Sequence, residues 1–271
     1  STGSLMAPLV ALRNFDKLAT AYTSVTQDDI FSVNPFNSDG SIKYLKVGWR
    51  LIKGAKTVGE SENMLKTIRR FFTSDDYDSI KKQGLEFAAA VTCLTDSKIY
   101  FQSTNDFGYD DMVDWAWASA NTPMFMSTLE KNGKAWVDGG LRAYLPLTYA
   151  VDKGAEVIDV IVHNHPGFSS ETWVQKGSFL SLLFRILSVY YAGIATDNMF
   201  FAIDELGIKK EHELNFYFMA PEDIHFMGND LVLDQAKMKT ILEKGYQSVL
   251  KGTINKQTFK IGSDGKVTGP I

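Results

Sequence analysis

Ser1-Thr2-Gly3-Ser4-Leu5-Met6-Ala7-Pro8 opens the chain and reads as the second half of a G-x-S-x-G elbow, of which Ser-x-Gly is present. In such an elbow a strand turns sharply into a helix, so the serine hydroxyl projects beside the helix N-terminus. Gly3, two places after the serine, is expected to let the backbone turn without a Cβ clash. The Gly-x before the serine and the strand that leads into it would precede residue 1. Residues 4 to 12 are an apolar run suited to the buried helix after the elbow, with Pro8 expected to bend or locally break it.

Working outward, Asn14 is placed to cap a helix over Phe15 to Ser24, where Phe15, Leu18, Ala19 and Tyr22 recur at helical spacing. Residues 60 to 73 read as a second amphipathic helix, with Met64, Leu65, Ile68, Phe71 and Phe72 on its apolar side. Glu86 to Leu94 and Ile99 to Phe101 flank the turn Thr95-Asp96-Ser97 and predict a hairpin. Residues 110 to 120 have an acidic first turn and stop before Pro123, as a helix would. Val157 to Val162 is β-branched and apolar, the pattern of an interior parallel strand. Beyond it come the apolar run Phe179 to Ile203, a strand over Asn215 to Met219, a helix over Asp234 to Leu250, and a hairpin or loose tail over Thr258 to Ile271. Helices and strands alternate, which is the α/β class.

Trp136-Val137-Asp138-Gly139-Gly140 supplies a further signal. Taken alone, Asp-Gly-Gly is ordinary turn chemistry. In order with Ser1-Thr2-Gly3-Ser4, with Ala118-Ser119-Ala120-Asn121-Thr122-Pro123 and with Pro146, it resembles the patatin-like phospholipases. These are acyl-lipid hydrolases with a serine–aspartate dyad, and the resemblance covers roughly the first 165 residues. It implies a three-layer architecture with a central, mostly parallel sheet flanked by helices, whose first strands would precede residue 1. A hydrolase domain over 1–167 and a C-terminal extension over 168–271 follow from it. Two departures stand out. The family's glycine-rich oxyanion loop lies upstream of the nucleophile and is not in this chain, and Tyr144-Leu145-Pro146 stands where paired asparagines are frequent.

The resemblance assigns Ser1 as nucleophile and Asp138 as the base that takes its proton, a step most serine hydrolases give to histidine. Gly139 and Gly140 would turn the chain and bring the carboxylate to the sheet edge, while Thr2 N–H would serve the oxyanion. It implies an acyl-ester lipid substrate, no cofactor and no metal. Two rivals keep the same residues. A lipid-binding or regulatory module would retain the fold without turnover, and an N-terminal nucleophile hydrolase would use the α-amino group of Ser1 as base but leaves Asp-Gly-Gly unexplained.

Composition bounds the partners. At 271 residues, 45% apolar and with a net charge of −4, the chain is an ordinary globular length and has no overall basic balance for nucleic acid. Its one cysteine, Cys93, excludes an internal disulfide framework and is compatible with a reducing, cytoplasmic setting. His163-Asn164-His165 has metal-compatible spacing but no further ligand at hand, so a polar loop is the plainer reading. Asp106-Phe107-Gly108 imitates a kinase tripeptide without the motifs that accompany it. Phe179 to Ile203 suits core or interface packing better than transient membrane-surface contact, and Arg185 and Asp197 argue against a spanning helix.

Overall fold

The computed structural model describes residues 2–37, 41–162, 212–218, 233–252, 254–261, 267 and 268, together with 182, 186, 189, 190, 193 and 194. The chain divides into two compact units, one of Ser1–Arg142 with Asn229–Thr240 and one of Ala143–Gly228 with Ile241–Ile271.

The first unit begins with α1 (Gly3–Ala11) and α2 (Phe15–Ser24). Pro8 does not break α1, which runs through it with the ring buried; the helix gives up one hydrogen bond and gains apolar burial. It ends in a Schellman motif, in which Arg13 at φ 55° donates to Val10 O and Asn14 donates to Leu9 O, both at 2.9 Å. Asn14 then caps α2, its side-chain oxygen accepting Lys17 N–H at 3.2 Å. α3 (Gln27–Ile30), α4 (Tyr44–Ile52), α5 (Asn63–Phe71) and α6 (Ser74–Lys82) follow. α5 buries Met64 and Ile68 as its spacing predicts, and α6 starts in a capping box between Thr73 and Asp76.

The sheet of this unit has the order β2-β1-β4-β3, built from β1 (Ala88–Cys93), β2 (Lys98–Ser103), β3 (Leu129–Lys131) and β4 (Lys134–Asp138), with every pairing antiparallel. The α/β class holds, but the expectation of one mostly parallel sheet is corrected. β1 and β2 are joined by a short turn and β3 and β4 by the pair Asn132-Gly133, and connections this short can only reverse the strand direction. Asn132 and Gly133 have φ of 55° and 69°, as a type I′ turn requires.

Between β2 and β3 runs α7 (Tyr109–Ala120), which packs on β1, β4, α1 and α5. Its Trp115 ring meets Trp136 of β4 edge-on at 5.1 Å and Phe107 at 5.8 Å. Such aromatic pairs add about 0.5–1.5 kcal/mol each beyond the area they bury. Lys131 lies over the Trp115 ring and pairs with Asp111 and Asp114 of the acidic helix start. Asp106-Phe107-Gly108 is the turn into this helix.

The second unit contains α8 (Leu147–Asp152), entered at Pro146, and a sheet of order β5-β6-β7-β8. β5 (Val157–Val162) and β6 (His212–Phe218) are parallel, whereas β7 (Asn255–Ile261) and β8 (Val267–Thr268) continue antiparallel, so the chain's last part forms a hairpin. Ile158, Val160, Val162, Leu214, Phe216 and Phe218 form its core with Leu147 and Val151. The parallel pairing of β5 is as expected, but an interior position is not. The strand lies at the sheet's edge among the described residues and buries one face only, so alternate residues face outward, Ile161 being 75% exposed. The other face carries a polar network in which Asn215 donates to Asp159 and Glu213, both at 3.0 Å, and accepts from Thr258 at 2.8 Å. α9 (Gln235–Leu250), which belongs to the first unit up to Thr240 and to the second from Ile241, completes the described elements, with Asp234 Oδ1 accepting Lys237 N–H at its start.

Candidate active site

Asp138 is the last residue of β4 and is 3% exposed. Several contacts hold it in place. Opposite Val91 in the ladder, its own N–H donates to the Asn121 carbonyl at 3.2 Å, and its Oδ1 accepts Gly140 N–H at 2.7 Å. The last bond closes an Asx turn that feeds a single 3-10 turn over Gly139–Leu141. A turn aspartate ordinarily faces water, whereas this carboxylate is held in the interior, where its charge costs free energy unless hydrogen bonds offset it.

Gly139 explains why the turn can be buried. A Cβ there would lie 2.4 Å from the Ala90 carbonyl oxygen and 2.6 Å from its carbon, so β1 and the turn approach backbone to backbone. Thr92 Oγ1 reaches Gly139 O at 3.4 Å from the same strand. Gly140 is also buried and contributes the N–H that Asp138 accepts.

The helix expected to follow the nucleophile is α1. Thr2 is its N-cap residue, exposed, with its carbonyl accepting Leu5 N–H at 3.0 Å. The opening amides of α1 are unpaired within the helix, which is the arrangement that suits an anionic group. Ser4 Oγ donates to Ala116 O at 3.1 Å and ties α1 to α7. α1 also packs on β1, the strand that pairs with β4 at Asp138, so both parts of the candidate site rest on one neighbour. Ser1 lies outside the described residues, as do His163-Asn164-His165 and most of Phe179 to Ile203. An added Cβ at residue 3 meets nothing within 4 Å among the described residues. Gly3 starts an ordinary helical turn.

Beneath Asp138 lies a polar network that sequence reasoning missed. Ser61 Oγ donates to Asn121 Oδ1 at 2.7 Å, Ser61 N–H donates to Ser127 Oγ at 2.9 Å, and Trp117 Nε1 donates to Ser61 O at 2.9 Å. Ser61 and Asn121 are fully buried. The loop from Asn121 to Ser127 is thereby locked to the segment before α5, and Asn121 in turn receives Asp138. Ser127 also donates to Glu62 at 2.7 Å. Partial burial works to raise the Glu62 carboxyl, but the hydroxyl bonds from Ser32 and Ser127 outweigh it and hold the group below its ordinary range. No signal at the level of sequence joins Ser61 to Asn121, 60 residues apart.

The family profile described as Patatin-like phospholipase matches residues 1–151, more than half of the chain. The chain belongs to the patatin-like phospholipase family. The matched region of this patatin-like chain takes in Thr2, Gly3, Asn121 and the Asp138-Gly139-Gly140 turn, and it stops before β5. No curated protein gives a significant match. Patatin-like membership places the chain among lipid acyl hydrolases. Among the described residues, no helix is long and apolar enough to cross a membrane, and no group of three or more His, Cys, Asp or Glu side chains is placed to hold a metal ion.

Proposed function

We propose that the chain hydrolyses acyl esters of lipids through an acyl-serine intermediate, with Ser1 as nucleophile and Asp138 as base. The observation that carries this reading is the buried Asp138 carboxylate at the end of β4, oriented by Gly140 N–H and brought against the sheet by a glycine that no other residue can replace without a backbone clash.

In the first half-reaction Asp138 accepts the Ser1 hydroxyl proton as Oγ attacks the ester carbonyl. The tetrahedral oxyanion collapses, the C–O bond to the alcohol breaks, and the alcohol leaves with the proton that Asp138 returns. In the second half-reaction Asp138 takes a proton from water, hydroxide adds to the acyl carbon, and Ser1 leaves reprotonated with release of the fatty acid. Thr2 N–H, at the N-cap of α1, would donate to the oxyanion, a contribution of about 3 kcal/mol per donor in acyl transfer generally. Further donors would come, by the family resemblance, from a glycine-rich loop. We infer a cytoplasmic setting from a chain with one cysteine, Cys93, which is buried and free.

The test is labelling with a fluorophosphonate probe, read by intact mass, on the full polypeptide and on Ser1→Ala and Asp138→Asn. Labelling that disappears in the first variant and falls in the second supports the dyad. A folded protein that takes up no probe sinks it and favours the rival, a lipid-binding module, for which the Asx turn at Asp138 would be purely structural.

A further inference from the structure

α4 presents apolar side chains where a globular protein has most reason to hide them. Leu45, Trp49 and Ile52 are 92%, 61% and 79% exposed. Their spacing of four and three residues puts them on one stripe, within about 60° of each other at about 100° per residue. Val47, about 140–160° away around the helix, is the residue that anchors α4 in the core at 2% exposure. The stripe therefore points directly outward.

The charge around it is equally one-sided. Residues 43–56 contain Lys43, Lys46, Arg50, Lys53 and Lys56 and no acidic residue, in a chain whose net charge is −4. Arg50 is committed to Glu60 at 2.7 Å and Lys56 to Glu130 at 2.7 Å. Lys46 and Lys53 are exposed and form no ion pair among the described residues, and Lys53 Nζ lies 5.1 Å from the centre of the Trp49 ring. Both flank the apolar stripe on the same side. A core-facing helix would have no use for this arrangement.

We propose that α4 docks the protein on an anionic phospholipid surface, with Leu45, Trp49 and Ile52 entering the boundary between headgroups and acyl chains and Lys46 and Lys53 lying among the phosphates. Apolar wedge and basic flank are the two contributions that hold amphipathic helices at such interfaces, and tryptophan is the side chain that best tolerates the headgroup level. A second copy of the chain fits less well, since Lys46 and Lys53 of one copy would meet those of the other across a symmetric contact. The purpose of docking rests on the lipid-hydrolase reading, but its test does not, because binding is measured without turnover.

The experiment is co-sedimentation of the full polypeptide with vesicles of phosphatidylcholine alone or with about 30% phosphatidylserine, enough to give a negative surface potential. The expected result is binding to the anionic vesicles that weakens as salt shortens the Debye length from about 10 Å at 0.1 M to about 3 Å at 1 M. Lys46→Glu with Lys53→Glu should weaken it at least tenfold, since each basic residue near an anionic surface accounts for about fivefold. Leu45→Ser with Ile52→Ser should weaken it comparably, with an unchanged far-ultraviolet circular dichroism spectrum, as the side chains are exposed. Lipids brominated on the acyl chain should quench the protein's fluorescence, and Trp49→Phe should remove that quenching. Equal binding to both vesicle types, wild-type binding by either double variant, or quenching that survives Trp49→Phe would overturn the proposal. So would a wild-type dimer that the apolar variant converts to monomer while vesicle binding stays the same, which would make the stripe a contact between copies.

Discussion

Gly139 lies against the backbone of Ala90 so closely that a single methyl group would come within 2.4 Å of the Ala90 carbonyl oxygen. The neighbour is main chain in the middle of a paired strand and has no rotamer through which to yield. Gly139→Ala is therefore expected to cost about 2–4 kcal/mol, in the upper range for overpacking. Urea denaturation monitored by tryptophan fluorescence reads this directly. A loss below about 0.5 kcal/mol would mean that the turn is free to move away from β1.

The Asn132-Gly133 turn sets the register that places Asp138, through Lys131 opposite Lys134 and Leu129 opposite Trp136. Gly133 has φ of 69°, where a side chain costs about 1–2 kcal/mol. Gly133→Ala should lose that much by thermal unfolding, whereas Asn132→Gly should change stability by less than about 0.5 kcal/mol.

Arg13 offers a gain. It is exposed and holds φ of 55° at the end of α1, the position where glycine is the favoured residue. Arg13→Gly should raise stability by up to about 1 kcal/mol, with the entropy of the glycine in the unfolded chain offsetting part of the relief. Differential scanning calorimetry of the pair tests it, and a lower midpoint for the variant would show that the arginine side chain contributes more than its backbone costs.

Acid sensitivity follows from Asp96. The Lys134 ammonium, and after it the Tyr100 hydroxyl, hold its carboxyl well below the ordinary carboxylate range. A depressed folded pKa means that the folded state binds fewer protons than the unfolded one, so the contribution is present above the unfolded value of about 3.9 and is lost as pH falls below it. Comparing urea midpoints at about pH 7 and about pH 3 should show a smaller acid loss for Asp96→Asn than for the parent chain. An equal loss would place the sensitivity elsewhere.

Where local chemistry and spacing agreed, elements were legible in the sequence. Asn14 marks the start of α2 and the bounds Phe15–Ser24 coincide with the helix, the Thr95-Asp96-Ser97 turn separates β1 from β2, and α7 stops before Pro123. The β3–β4 hairpin was not read, although Asn132-Gly133 is a strong short-range hairpin signal, because β3 has three residues and too little alternation to announce itself. α4 was missed for a different reason. Its apolar stripe of Leu45, Trp49 and Ile52 faces outward while the residue that anchors it, Val47, stands on the opposite side, and Gly48 in the middle lowers the helix propensity. Of the candidate site, the Asp138-Gly139-Gly140 turn was visible, but the backbone contact with Ala90 and the bond from Ser61 to Asn121 join residues far apart in the chain, which no local pattern records.

α7 differs from the other described helices in having almost no outer side past its acidic first turn: Met112, Val113 and every residue from Trp115 to Ser119 are buried. A helix with a wet stripe can drift in sequence along that stripe, whereas from Trp115 to Ser119 every position is answered by a neighbour. Over evolutionary time a change at Ala116 or Ala118 survives best beside a matching change in whatever it touches. Ala118-Ser119-Ala120 would thus resist replacement through packing alone, and invariance there among relatives would be no testimony that these residues take part in chemistry.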